Sequence, residues 1–242
     1  MPLDEWIREQ LEGSKKVIQF DNFTLPLTLI GGLDISFVDQ SEGLKEFEAV
    51  GALVVLDYNT MEVLYSDCIE LITEIPYIPG FLGFREEPFA RILLKKLEEK
   101  APQLLPQILI VDGCGIYHPR GFGSASQIGV NLNIPTIGIS KSFLKLDGLD
   151  ENEFIIKVDE SCNFELPVIT TDRGQVASAL YTGKSKHPRC FVSVGHGISL
   201  PTAIEIVKKC SITEISEPIR QADLISRDYI RKHGSFIKDL FL

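Results

Sequence analysis

The sequence predicts a single α/β domain over residues 1–242, built on a mixed sheet whose first three strands run antiparallel and whose two faces both carry helices. Three observations predict it. Apolar, β-rich runs with short connections fill residues 27–72. Beyond them, helical spacing alternates with short apolar runs, and a strand–helix–strand order brings strands together in parallel. The chain also has 44% hydrophobic residues among its 242, enough apolar surface for a sizeable core.

Each element follows from its local pattern. About 1–17 is expected to be an N-terminal helix packed on the domain, since Leu3 to Val17 puts Leu3, Trp6, Ile7 and Leu11 on one stripe. Leu27 to Val38 and Ala49 to Leu56 read as strands. A third, Val63 to Ile72, follows the turn Asp57-Tyr58-Asn59-Thr60. Glu86 to Lys100 has helical spacing, with Phe89, Ile92, Leu93 and Leu97 on one face and Lys95, Lys96, Glu98 and Glu99 on the other. Gln107 to Val111 is a short buried strand ending at Asp112-Gly113. Phe122 to Leu132 is a helix and Thr136 to Ser140 a strand. Further strands are expected near Phe154 to Val158, Val176 to Thr182 and Cys190 to Val194. Two helices follow, Leu200 to Lys209 and Pro218 to Lys232; Pro201 stands early in the first, where a missing N–H costs little. No internal repeat, low-complexity tract or linker interrupts this order.

Composition narrows the function. No apolar run approaches the roughly 20 residues needed to span a bilayer. Met1-Pro2-Leu3-Asp4-Glu5 lacks the positive-then-apolar pattern of a secretion signal, so a soluble intracellular protein, cytoplasmic or nuclear, with no membrane partner is expected. Cys68, Cys114, Cys162, Cys190 and Cys210 are scattered, without a Cys-x-x-Cys pair, which argues against zinc or a disulfide framework. The net charge of −10 excludes a chain coated in basic residues for generic DNA binding. Any nucleic-acid groove must therefore be local, drawn from Lys141, Lys145, Lys184, Lys186, Arg189, Arg220, Arg227 and Arg231.

Two aspartates stand apart from the surface charges. Asp34 interrupts a strand made of Leu29, Ile30, Leu33, Ile35 and Phe37, and Asp112 ends the run Ile108-Leu109-Ile110-Val111. Carboxyl ends of buried strands are where open α/β sheets place their ligands. Alone, each aspartate would read as a helix or turn cap. Glu86, at the expected start of a helix, would read alone as complementing the helix dipole. Three carboxylates on a first strand, a following helix and the end of a later strand, with Asp223 on the last helix as a fourth, suggest another arrangement. That order resembles the ribonuclease H-like nuclease fold, in which such carboxylates hold two divalent ions. Hard Mg²⁺ or Mn²⁺ requires oxygen ligands, and two ions about 4 Å apart can serve both sides of a phosphate.

Four segments resemble the endonuclease V family. They are Gly32-Leu33-Asp34-Ile35-Ser36-Phe37, the stretch from Pro76-Tyr77-Ile78-Pro79-Gly80 to Glu86, the stretch from Asp112-Gly113-Cys114 to Gly123, and Gly138-Ile139-Ser140-Lys141-Ser142. Weaker matches follow at Gly195 to Leu200 and Pro218 to Asp223, in the same order, so the likeness spans about Gly31 to Lys232. The resemblance implies that Asp34, Glu86 and Asp112 bind Mg²⁺, with Mn²⁺ as the alternative, and that Asp223 is a fourth member. It implies that His118 and Lys141 flank the scissile phosphate. Pro76, Tyr77, Ile78 and Pro79 would form a strand-separating wedge, rigid through its prolines, with Tyr77 stacking where a base has left. Gly80, Leu82 and Gly113 would wall a pocket for the displaced hypoxanthine. The implied reaction is cleavage of the second phosphodiester 3′ to inosine, leaving a 3′-hydroxyl and a 5′-phosphate. A monomer acting on inosine-containing single-stranded RNA or DNA is expected.

The chain departs from the family pattern at Cys114, Ser124, Gln127 and Gly197, none of them a metal ligand. Ser226 to Lys232 looks more like the eukaryotic branch, which favours RNA. Other readings stay open: a nuclease selective for nucleic-acid structure rather than inosine, a non-catalytic binder, or a small-molecule phosphohydrolase.

Overall fold

In the computed structural model, residues 3–38, 47–146, 168–180, 190–212 and 215–234 are described. Eight strands form one sheet: β1 (Leu29–Phe37), β2 (Phe47–Asp57), β3 (Val63–Thr73), β4 (Ile108–Asp112), β5 (Thr136–Ser140), β6 (Val168–Thr171), β7 (Gly174–Leu180) and β8 (Cys190–His196), in the order β3-β2-β1-β4-β5-β8-β7-β6. Helices are α1 (Leu3–Ser14), α2 (Leu82–Lys100), α3 (Ser124–Leu132), α4 (Leu200–Cys210) and α5 (Glu217–His233). No helix among the described residues is long and apolar enough to cross a membrane.

The expected meander forms, with β1, β2 and β3 antiparallel. The expected parallel half forms too, as β4 lies parallel to both β1 and β5. β8 then returns antiparallel to β5, and the short strand β6, which sequence patterning leaves undetected, pairs with β7. The expected strand Phe154 to Val158 and the basic positions Lys184, Lys186 and Arg189 lie outside the described residues.

Two clusters sandwich the sheet. Leu33, Leu53, Val55, Leu109 and Val111 meet Leu93 and Leu97 of α2 and Ile128 of α3. On the other face, Ile30, Ala52, Val54 and Ile110 meet α4 and α5 through Ile206, Val207, Ile219 and Ala222. Side chains of a strand alternate between faces, which is why β1 and β4 feed both clusters.

Two helices differ from expectation. α2 begins at Leu82 rather than Glu86. The Phe81 amide closes a turn onto the Ile78 carbonyl (3.0 Å), and Phe84 N–H bonds Phe81 O (3.2 Å), so the helix starts as soon as that turn ends. Glu86 therefore lies in the second turn, beyond the reach of first-turn dipole effects. Ile92 stays 38% exposed, and Ala90 takes its place in the buried face with Phe89, Leu93 and Leu97. In α1 only part of the apolar stripe packs: Trp6 and Ile7 are half-buried, Leu3 and Leu11 are 42% and 46% exposed, and the fully buried residues are Gln10 and Gly13. A Cβ on Gly13 would lie 2.4 Å from the Phe122 ring, so the helix packs on its smallest residue.

Candidate active site

The site grows from the carboxyl ends of β1 and β4. One residue beyond the Leu33–Val111 pairing, Asp34 and Asp112 lie on neighbouring strands. Both point to the α5 face, opposite to Leu33 and Val111. Gly32 lets α5 approach: a Cβ there would stand 2.2 Å from the Pro218 carbonyl oxygen. With its first turn against β1, α5 brings Ser226 to Asp34, the hydroxyl donating to Oδ2 at 3.1 Å, and places Asp223 in the same groove as Asp34, Asp112 and Lys141. Glu86 arrives from the opposite face, on α2, and accepts a hydrogen bond from Ser124 Oγ at 2.5 Å. Beside it, the buried Arg85 guanidinium stacks 3.6 Å from the Phe37 ring centroid.

Proximity and burial raise the carboxyls. Burial, then Asp112 and Asp223, push Asp34 up to about 7. Burial, then Asp112 and Asp34, push Glu86 up to about 8, against the Ser124 hydrogen bond. Such shifts mark carboxylates crowded together without enough positive charge. Lys141 supplies part of it, donating to Asp112 Oδ2 at 2.5 Å. Burial disfavours its charge, but Asp112, Asp34 and Asp223 outweigh burial and hold the ammonium above its ordinary value.

Each carboxylate rests on a donor from the protein: Asp34 on Ser226, Glu86 on Ser124, Asp112 on Lys141, and Asp223 on Arg227 at 2.7 Å. Accordingly, among the described residues no three acidic, histidine or cysteine side chains form a ready-made metal cage. The donor set still suits a hard divalent ion. It is all oxygen, two of its members, Asp34 and Glu86, are buried, and these raised carboxyls have charge to be neutralised.

A cavity of about 520 Å³ opens beside these groups, and Asp34, Glu86, Asp112, His118 and Lys141 line it. Of the expected wedge and pocket, Tyr77, Ile78, Pro79, Gly80, Leu82 and Gly113 line it too, while Pro76 does not. Tyr77 is 58% exposed at its mouth. The uncapped amide end of α2 meets this cavity through Leu82 and Gly83. Of the basic candidates, Lys141, Arg227 and Arg231 line the adjoining groove, whereas Arg220 is spent on Glu217 (2.7 and 2.5 Å).

His118 is held by backbone groups. It is 3% exposed, its Nδ1 accepts from the Arg120 amide (3.2 Å), and its Nε2 faces the Gly80 carbonyl (3.1 Å). A carbonyl only accepts, so Nε2 carries the proton and the ring is neutral. Burial, then the Arg120 guanidinium, push its pKa down to about 4. The sequence assigns no role to four residues that contact the site: Ser124 (there only a departure from the family pattern) and Ser226, which hold Glu86 and Asp34, and Gln10 and Arg120, which reach Gly80. Ser and Gln carry no motif signal.

A family model described as Endonuclease V matches residues 11–224. The chain belongs to the endonuclease V family. It is 40% identical to mouse endonuclease V over 85% of this chain and 61% of that protein, and so spans about three fifths of that relative's length. Human endonuclease V is 36% identical over 95% of this chain and 84% of that one. Among solved structures, endonuclease V of Ciona intestinalis, in complex with a 24mer DNA containing an inosine followed by a ribo-adenosine, superposes with a TM-score of 0.87. It is 37% identical, covering 95% of this chain and 98% of that one. The sheet and its flanking helices are thus those of an endonuclease V, a ribonuclease H-like fold.

Proposed function

We propose that this chain is a metal-dependent endonuclease that cuts the second phosphodiester 3′ to inosine in single-stranded RNA, and in DNA less well. The observation that carries the reading is the adjacency of two features: crowded buried carboxylates, and a cavity walled by Gly80, Leu82 and Gly113. The fold is shared with a relative crystallised on an inosine-containing strand.

Asp34, Glu86 and Asp112, with Asp223 beside them, would hold Mg²⁺ or Mn²⁺. The ion would supply positive charge at the phosphate and a water acidic enough to attack it. Lys141, which donates to Asp112, is placed to stabilise a phosphate or leaving oxygen and would be freer to do so with that charge present. Tyr77, exposed beside two prolines that stiffen its segment, fills the gap left by an unstacked base; such stacking is worth about 1–3 kcal/mol. The free amides at the start of α2 suit the O6 acceptor of hypoxanthine. Hypoxanthine has no amino group at C2, and a tight wall at that edge would reject guanine. A flipped base costs least in a single strand. One nucleotide of offset between pocket and carboxylates would place the cut beyond the inosine itself.

The test is a side-by-side assay of single- and double-stranded RNA and DNA, each with one inosine or with adenosine in its place, with Mg²⁺, Mn²⁺ or chelator. The expected result is one cut, giving 3′-hydroxyl and 5′-phosphate ends, only in inosine strands and only with metal, fastest in single-stranded RNA. Equal cutting of adenosine and inosine strands would overturn base recognition and favour a nuclease that reads structure.

A further inference from the structure

We infer that Gln10, on the N-terminal helix, is a positioning residue for base selectivity, acting through a clamp on the Gly80 carbonyl. The inference rests on the inosine reading above, and extends the selectivity apparatus to a helix that reading leaves out.

Three donors converge on the Gly80 oxygen: Gln10 Nε2 at 3.0 Å, His118 Nε2 at 3.1 Å and Arg120 Nη2 at 2.7 Å. A carbonyl has two lone pairs, so this one is saturated and cannot serve a base. Its role is to be held. Gly80 has φ +80°, the left-handed region open to glycine. It joins the Tyr77 segment to the first turn of α2, so the clamp fixes both where the tyrosine projects and where the α2 amides begin.

Gln10 is the hub of the clamp. It is 1% exposed, more deeply buried than any large apolar residue of its helix. Arg120 Nε donates to its Oε1, which fixes the flip of the amide and leaves Nε2 to donate to Gly80 O and to Phe122 O (3.3 Å). Gln10 therefore ties together two backbone segments, around Gly80 and around Phe122, whose residues Gly80, Gly123 and Ser124 line the cavity. The rest of α1 is docked to match. Trp6 stacks on Phe84 with centroids 4.7 Å apart, and Arg120 lies 4.4 Å over the Phe81 ring. A wall held at one distance is what separates purines that differ by a single exocyclic group.

Two near-isosteric variants test this. Gln10→Glu keeps and strengthens the contact with Arg120 but sets an oxygen against the two carbonyls. Gln10→Met removes all three hydrogen bonds, including the one accepted from Arg120, and keeps the bulk of the side chain. For the parent and both variants, kcat and KM are measured on single strands carrying inosine, guanosine or adenosine at one position. Tm and the emission of Trp6, the one tryptophan in the chain, report whether α1 stays docked. The expected result is a fall of about tenfold or more in the inosine-to-guanosine ratio of kcat/KM, the size of one lost charge-assisted or buried hydrogen bond. The change should fall mainly in KM, with Trp6 emission preserved in Gln10→Met. Ratios equal to the parent's in both variants, whether or not Tm drops, would reduce Gln10 to a packing residue and overturn the inference. A parent without inosine preference would instead overturn the inosine reading, and this inference with it.

Discussion

Asp34 and Glu86 are acids held in a folded state that dislikes their charge. Both titrate higher folded than unfolded, at about 7 and about 8. The folded chain therefore carries more protons than the unfolded one, and stability falls as pH rises through those values. His118 and His196, lowered from 6.5, act in the opposite direction, but only below that pH. The interval from pH 6.5 to about 8 thus isolates the carboxyls. Without metal, Tm should drop across it, and Mg²⁺ should raise Tm more at the upper end. A metal-free Tm that is flat or rising there would show that burial and neighbouring charge do not raise these carboxyls in the folded chain. At this scale the sequence is informative about charge and silent about its partners. Asp34 and Asp112 betray themselves by breaking apolar runs. Ser124, Ser226 and Gln10 do not, because a serine or glutamine gains its meaning from what lies across a fold. His118 is legible as a site residue, but its two backbone contacts are not, and these turn its ring toward Gly80.

Among the elements, period and composition reveal β1 to β5, β8 and the closing helices almost to the residue. β6, four residues long, carries too little pattern. The start of α2 is hidden because Pro88 suits a first turn, whereas the helix runs through it. The stripe of α1 is only partly informative: Trp6 packs on Phe84, but the deepest burial belongs to a glycine against Phe122 and a glutamine against a carbonyl. Gly32 is the element-scale contact on which the site turns. An added methyl group would sit 2.2 Å from the Pro218 carbonyl oxygen, so Gly32→Ala must push α5 away from β1. It should cost about 1–3 kcal/mol, as overpacking does, and withdraw Ser226 and Asp223 from Asp34. Stability to denaturant and cleavage rate should both fall. An alanine variant with parental stability and rate would mean that α5 can shift without consequence for the acidic centre.

For the whole molecule, a net charge of −10 and a nucleic-acid substrate agree only if positive charge is concentrated where the strand passes. Lys141, Arg227 and Arg231 line the groove at the acidic centre, yet each is paired there with an aspartate, Arg231 with Asp228. Divalent cations would therefore do two things at once, neutralising the carboxylates and freeing cations for phosphate. The proposed chemistry depends on residues 34, 86 and 112, far apart in the chain, acting on one ion site. Manganese binding, followed by the loss of the free-ion electron paramagnetic resonance signal, tests that most directly. The parent should bind Mn²⁺ at neutral pH, and Asp34→Ala and Asp112→Ala, with unchanged circular dichroism, should lose that binding. Equal Mn²⁺ uptake by the parent and both variants would contradict it.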